Sequence, residues 1–234
     1  MRLLLLSNSR NPGGGWLDHA EGEIRDFLGP SSAPLLFFPF AAVSMSFDAY
    51  AAMARKRFAK MGYRLVGAHR ADPGAARAAA GFVAGGGNTF RLLDEMQRRG
   101  WLQAAGRRVR GGVPYIGWSA GSNLACPTIR TTNDMPVVEP RSLAAMGLLP
   151  FQLNPHYTER SLSGHGGETR DMRIAEFLAL NPGVPVLGLR EGSLLRCEGS
   201  RLELRLGPGA KLFSPSGEKK NLKAGTDLSF LLRK

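Results

Sequence analysis

A serine with a glycine two residues away on each side is the sharpest chemical signal in the chain: Gly117-Trp118-Ser119-Ala120-Gly121. It follows a strand-like run at 113–116 and leads into a helix-compatible stretch at 120–125. This is G-x-S-x-G in a strand–turn–helix setting. A strand that turns at once into a helix strains the residue at the bend, and only the hydrogen of glycine leaves room for the chain on either side. Ser119 Oγ is then expected at the carboxyl edge of a sheet, with the Ala120 N–H aimed where an oxyanion develops. The chemistry this suits is nucleophilic attack on a carbonyl.

A serine hydroxyl needs a base to take its proton. Four histidines are available: His19, His69, His156 and His165. His156 sits in Leu153-Asn154-Pro155-His156, after a short apolar run, where the proline disfavours helix and predicts a loop at a strand end. It is the favoured base. His165 stands beside a glycine and reads as a surface residue. The base in turn needs an orienting acid. Asp134 lies in a polar loop, Thr131-Thr132-Asn133-Asp134, and Glu191 lies just past a buried-looking strand. A strand end is the better-supported position, but spacing does not choose between the two.

Gly85-Gly86-Gly87-Asn88-Thr89 also joins a strand to a helix. It lacks the lysine and the spacing of a phosphate loop. It reads instead as an oxyanion loop, whose backbone amides can approach a reacting carbonyl with no side chain in the way. The two cysteines, Cys126 and Cys197, have no metal-ligand spacing and read as buried, reduced thiols. No metal or cofactor is expected.

The elements that must position these groups alternate. Strand-like runs at 3–7, 34–38, 63–67, 82–84 and 113–116 are separated by helical periodicity at 16–28, 47–58, 75–80, 89–96 and 102–109. Such alternation predicts an α/β protein with a mostly parallel sheet covered by helices on both faces. After a helix around Ile174, short strand candidates at 186–189, 194–197, 202–206 and 211–214 follow one another closely. They predict antiparallel strands near the C-terminus, added to one edge of the same sheet. No linker divides the chain, so residues 1–234 are read as a single domain.

The 234 residues carry a formal net charge of +12. The tight basic runs, such as Arg107-Arg108-Val109-Arg110, are not interleaved with aromatics, which argues against a nucleic-acid partner. A field that draws in acidic small molecules is the alternative. No apolar run is long enough to cross a bilayer, and residues 3–6 are too short for a signal-peptide core. A cytoplasmic protein without a membrane partner is expected.

Several segments together resemble the peptidase E family, aspartyl dipeptidases among the serine peptidases that share the class I glutamine amidotransferase-like (flavodoxin-like) fold. They are Leu3-Leu4-Leu5-Leu6-Ser7-Asn8-Ser9, Val83-Ala84-Gly85-Gly86-Gly87-Asn88-Thr89-Phe90, the segment around Ser119, the run from Asn123 to Pro136, Asn154-Pro155-His156 and Gly167-Glu168-Thr169-Arg170. The likeness weakens only after Gly199. It implies hydrolysis of dipeptides and short peptides with an N-terminal aspartate, by a monomer or homodimer. Ser119 matches the nucleophile and His156 the base. Glu191 and Asp134 match the two acids described for the family; Glu191 is favoured as the orienter, with Asp134 as a second candidate or a pocket wall. Arg190 and Ser193 depart from the proline and asparagine-like residues usual in the family.

The mechanism so implied draws its oxyanion donors from Gly87 or Asn88 and from Ala120. A buried aspartate side chain requires a cation or dense donors, and Arg170 and Arg130 are the best-placed arginines by motif. The order Ser119, His156, Glu191 differs from that of an α/β-hydrolase, and a serine nucleophile disfavours an amidotransferase. Two alternatives stay open: a cyanophycinase-like or β-aspartyl peptidase with the same triad, and a non-catalytic binding module on the same fold.

Overall fold

The leucines of β1 (Arg2–Leu6) divide between two cores. Leu3 and Leu5 join one apolar cluster, and Leu4 and Leu6 join another. Successive side chains of a strand point to opposite faces, so a strand apolar on both must be covered on both. The same division runs through β2 (Leu35–Phe38), where Leu36 and Phe38 face the first core and Leu35 and Phe37 the second. Helices α3 (Thr89–Arg98) and α4 (Trp101–Arg110) close the first core with Leu92, Leu93, Met96 and Val109. Helices α1 (Glu21–Leu28) and α2 (Phe47–Lys60) close the second with Ile24, Phe27, Ala54 and Phe58. The structure is a computed structural model that describes residues 1–160 and 166–233; His165 lies outside them.

Strands β3 (Leu65–Gly67), β4 (Gly81–Ala84) and β5 (Tyr115–Trp118) complete five parallel strands in the order β3-β2-β4-β5-β1. The order reverses between β2 and β4, and ligands of open α/β sheets bind at the carboxyl ends beside such a reversal. Strands β8 (Leu194–Glu198) and β9 (Arg201–Arg205) add antiparallel strands beyond β1. The chain is therefore an α/β protein with a mostly parallel sheet covered on both faces and antiparallel strands near its C-terminus.

Only two of the four late strands extend that sheet. β6 (Gln152–Tyr157), β7 (Val186–Arg190), β10 (Ala210–Phe213) and β11 (Lys219–Leu222) form a second sheet in the order β11-β10-β7-β6. Its inner residues Leu153, Leu187, Leu189 and Leu212 pack into the first core. Its outer residues Tyr157, Val186 and Phe213 meet Ile174 of helix α6 (Arg170–Leu180). Two of these strands escape pattern reading for physical reasons. β6 contains Pro155, which its edge position tolerates, and β11 is a lysine-rich edge with only Leu222 buried. The helix expected over 75–80 is a 3-10 segment, Pro73–Arg77, opened by Asp72, whose Oδ1 accepts from the Gly74 N–H at 2.6 Å.

Candidate active site

Ser119 stands between β5 and α5 (Ala120–Leu124) with φ +53°. That is a left-handed conformation that a side-chain-bearing residue adopts only when its surroundings hold it there. The surroundings are specific. The Ser119 N–H donates to Leu6 O at 3.1 Å. The Ser122 hydroxyl lies 2.7 Å from Leu6 O and 3.0 Å from Gly117 O, and the Tyr115 hydroxyl donates to Gly121 O at 2.7 Å. The flanking glycines are steric necessities. A Cβ on Gly117 would lie 2.4 Å from Gly121 O, and one on Gly121 would lie 2.2 Å from Ala84 O.

His156 is delivered by a bulge. The register of β6 on β7 shifts between Pro155 and Tyr157, leaving His156 as the extra residue with φ +55°. The loop expected at this histidine is thus an interruption inside a strand. Its N–H donates to Ser7 Oγ at 2.8 Å, and the Ser7 hydroxyl donates onward to Leu189 O at 2.8 Å. Ser7, at the carboxyl end of β1, thereby ties the first sheet to two strands of the second, β6 and β7. The imidazole Nε2 lies 2.9 Å from Ser119 Oγ and Nδ1 lies 2.7 Å from Glu191 Oε1. With the carboxylate accepting from Nδ1–H, Nε2 is left as the acceptor for the serine hydroxyl.

Glu191 follows β7 directly. Its turn is fixed by the Gly192 N–H, which donates to Asn8 Oδ1 at 2.7 Å, and by the Gly209 N–H, which donates to Ser193 Oγ at 2.8 Å. Asp134 is elsewhere. Its Oδ2 accepts from the Thr89 N–H at 2.8 Å, the Thr89 hydroxyl at 2.5 Å and the Thr132 hydroxyl at 3.1 Å, so it closes the first turn of α3. It shares a cavity wall with Ser119 and His156 without bonding to either.

The glycine loop after β4 lies against the serine. A Cβ on Gly86 would come within 3.1 Å of Ser119 Cβ. Gly87, at φ +131°, brings its Cα so close to Ala41 O that a Cβ would lie 2.4 Å from it. Among the described residues, the N–H groups of Gly86, Gly87 and Ala120 have no protein acceptor. Asn88 does not share this freedom. Its N–H donates to Ala41 O at 2.8 Å, its Oδ1 caps α3 at the Arg91 N–H, and its Nδ2 donates to Met135 O. The expectation of an oxyanion donor at Asn88 is corrected accordingly.

The arginines separate as well. Arg170 Nη1 donates to Asn133 Oδ1 at 2.5 Å, and the Asn133 Nδ2 donates to Pro155 O, so Arg170 stands behind the walls that carry Asp134 and His156. Arg130 is exposed and turned toward Asn181 at the far end of α6, 3.4 Å away. Neither lines the cavity of about 680 Å³ that opens over Ser119. Of the other histidines, His69 pairs with Asp48 at 2.8 Å. His19 has both ring nitrogens buried without a partner, and burial lowers its pKa.

Three contributors were missed from the sequence. The Tyr50 hydroxyl donates to Gly86 O at 3.0 Å, and burial pushes that hydroxyl up to about 12. Ser7 and Asn8 brace the histidine and the glutamate. Their signal was the polar Ser7-Asn8-Ser9 run directly after four leucines, at the end of a strand where sites gather.

The sequence and the fold have counterparts among known proteins. The family model described as Peptidase family S51 matches residues 3–205. The chain is 49% identical to Peptidase E of Streptomyces coelicolor over 236 residues, covering 99% of this chain and 95% of that one. It is 44% identical to Peptidase E of a Nostoc species over 235 residues, covering 100% and 97%. Among solved structures, a peptidase from an acI-B1 Actinobacterium superposes with a TM-score of 0.69 over 98% of this chain and 96% of that one; at 16% identity this is a likeness of fold. With an S51 match over most of its length and full-length relatives at these identities, the chain belongs to peptidase family S51 and is a serine peptidase.

Proposed function

We propose that the enzyme hydrolyses dipeptides and short peptides that begin with aspartate, through an acyl-enzyme on Ser119. The observation that carries this reading is the unbroken hydrogen-bonded sequence Ser119 Oγ, His156 Nε2, His156 Nδ1, Glu191 Oε1 at the base of an open cavity. His156 Nε2 takes the hydroxyl proton as Ser119 Oγ attacks the carbonyl carbon of the N-terminal residue. The N–H groups of Ala120 and Gly87 hold the oxyanion. The imidazolium, steadied by Glu191, returns the proton to the leaving nitrogen, and the C–N bond breaks. Water, deprotonated by the same imidazole, then splits the ester and restores Ser119. Every step is served by the chain's own groups.

The preference for aspartate rests on the family resemblance and on relatives named Peptidase E. Arg170 is kept as the candidate cation for the substrate carboxylate: it stands behind the cavity wall and reaches the substrate by turning from Asn133, whereas Arg130 faces Asn181. Asp134 shapes the wall instead of orienting the base. A screen of dipeptides varied at the first residue tests this reading. Asp-Xaa peptides are expected to be cleaved, with the activity lost in Ser119→Ala. Equal cleavage of Ala-Xaa and Asp-Xaa would overturn the specificity, and undiminished turnover by Ser119→Ala would overturn the nucleophile.

A further inference from the structure

The cavity over Ser119 continues past the serine. It shares Ala42, Val43, Met45 and Val137 with a second hollow of about 430 Å³, whose lining also includes Phe47 and Arg91. Val43 is 63% exposed, Val137 53% and Met45 44%. Met53, another exposed apolar residue, also lines the Ser119 cavity. Four of the large exposed apolar side chains among the described residues thus meet at one mouth. A soluble protein leaves such a patch open where something apolar is to be bound.

The far end of the groove is basic. Arg91 lies 3.0 Å from Glu95, and its guanidinium sits 5.7 Å from the centre of the Phe47 ring. Glu95 also pairs with Arg99 at 2.5 Å, so one carboxylate faces two guanidinium groups and positive charge is left over. A guanidinium at the end of an apolar channel is suited to a carboxylate.

Direction follows from the reaction. An enzyme that releases an N-terminal residue needs room for only one residue on the acyl side of the scissile bond. Length beyond that serves the leaving side. Resting on the reading above, we propose that this groove is the leaving-group subsite. The first leaving residue lays a large apolar side chain on Val43, Met45 and Val137, and the terminal carboxylate of a two-residue leaving segment faces Arg91. The substrate class is aspartate followed by a large apolar residue, tripeptides included.

The test is a set of kcat/KM ratios measured with Asp-Leu, Asp-Ser, Asp-Leu-Ala and Asp-Leu-Ala amide. Wild type is expected to favour Asp-Leu over Asp-Ser by about tenfold, as one apolar side chain in a partly open site allows. The double variant Val43→Ser, Val137→Ser should bring that ratio close to one; both positions are exposed, so the change opens no cavity in a core. Arg91→Met should lower the ratio of free acid to amide for the tripeptide by about tenfold. Equal rates on Asp-Leu and Asp-Ser in wild type, or a preference that survives the double variant, would overturn the apolar subsite. Loss of Asp-Leu and Asp-Leu-Ala amide together in Arg91→Met would overturn its place on the leaving side and assign it to the N-terminal residue. Should another first residue prove to be the substrate, the aspartate reading fails and the same ratios, measured on that residue, still decide the groove. If all such peptides are inert, both fail.

Discussion

The Tyr50 hydroxyl donates to the carbonyl of Gly86 at 3.0 Å. A peptide plane points its C=O and its N–H in opposite directions, so holding the Gly86 oxygen on the tyrosine turns the Gly87 N–H to the opposite side. Burial keeps the Tyr50 proton in place, with its pKa pushed up to about 12. Tyr50→Phe is therefore expected to lower kcat by about tenfold, the worth of one hydrogen bond, and to leave KM nearly constant. Steady-state kinetics distinguishes this from a packing defect, which would lower Tm or raise KM.

The two acid candidates separate by readout. Glu191→Ala is expected to lower kcat/KM by about 100-fold or more through loss of the imidazole's partner, with little change in Tm because the side chain is half exposed. Asp134→Ala is expected to cost ~1–2 kcal/mol of stability by stripping the Thr89 N–H of its acceptor at the head of α3, with kcat/KM within about tenfold of wild type. Denaturant titrations and kinetics on both variants check the assignment. The reverse pattern would make Asp134 the orienter.

Gly121→Ala tests the bend itself. Its Cβ would lie 2.2 Å from Ala84 O, an atom of the central sheet that cannot move aside. A loss on the order of 3 kcal/mol or more is expected, visible as a fall in Tm or in soluble yield. Wild-type stability would mean the bend is wider than described.

Acid should act in two stages. Burial lowers the pKa of His19, so the unfolded chain binds its proton more readily, and stability contributed by the neutral ring is lost as pH falls below 6.5. The carboxylates of Glu21 beside Arg57 and Asp26 beside Arg196 are held below their ordinary 4.5 and 3.8. Their contribution is present above those values and is lost as pH falls through the lowered ones. Calorimetry from pH 7.5 to 3 should show both declines, and His19→Phe should remove the upper one. A Tm that does not change down to pH 3 would contradict both.

Local sterics made Ser119 legible. The two glycines and the change from strand to helix all lie within a few residues, and the physics that demands them is just as local. His156 could be singled out as the candidate base, but its strand could not be read, because Pro155 argues for a loop and the bulge that aims the ring depends on pairing with β7. Glu191 and Asp134 could not be ranked by spacing, since what separates them is which one folds back to the imidazole and which one meets Thr89. The five parallel strands were readable from short strand-like runs alternating with helical periodicity. The second sheet was not, because β11 is nearly all polar and β6 looks broken. Asn88 was misjudged because nothing in a row of glycines reveals that Ala41 O takes the amide that follows them.

Ser7 is one of a few polar links between layers that meet mostly through hydrocarbon, with Asn8 bonded to the Gly192 N–H and Asn123 to Leu153 O among the others. The Ser119 hydroxyl rides on one slab of the molecule and the His156 imidazole and Glu191 carboxylate on another, with the small Ser7 hydroxyl as a dowel directly beneath the imidazole's backbone. A slip of about one ångström along that seam would part oxygen from nitrogen while each slab kept its own ladder intact. Warming or mild denaturant should silence this enzyme before it melts.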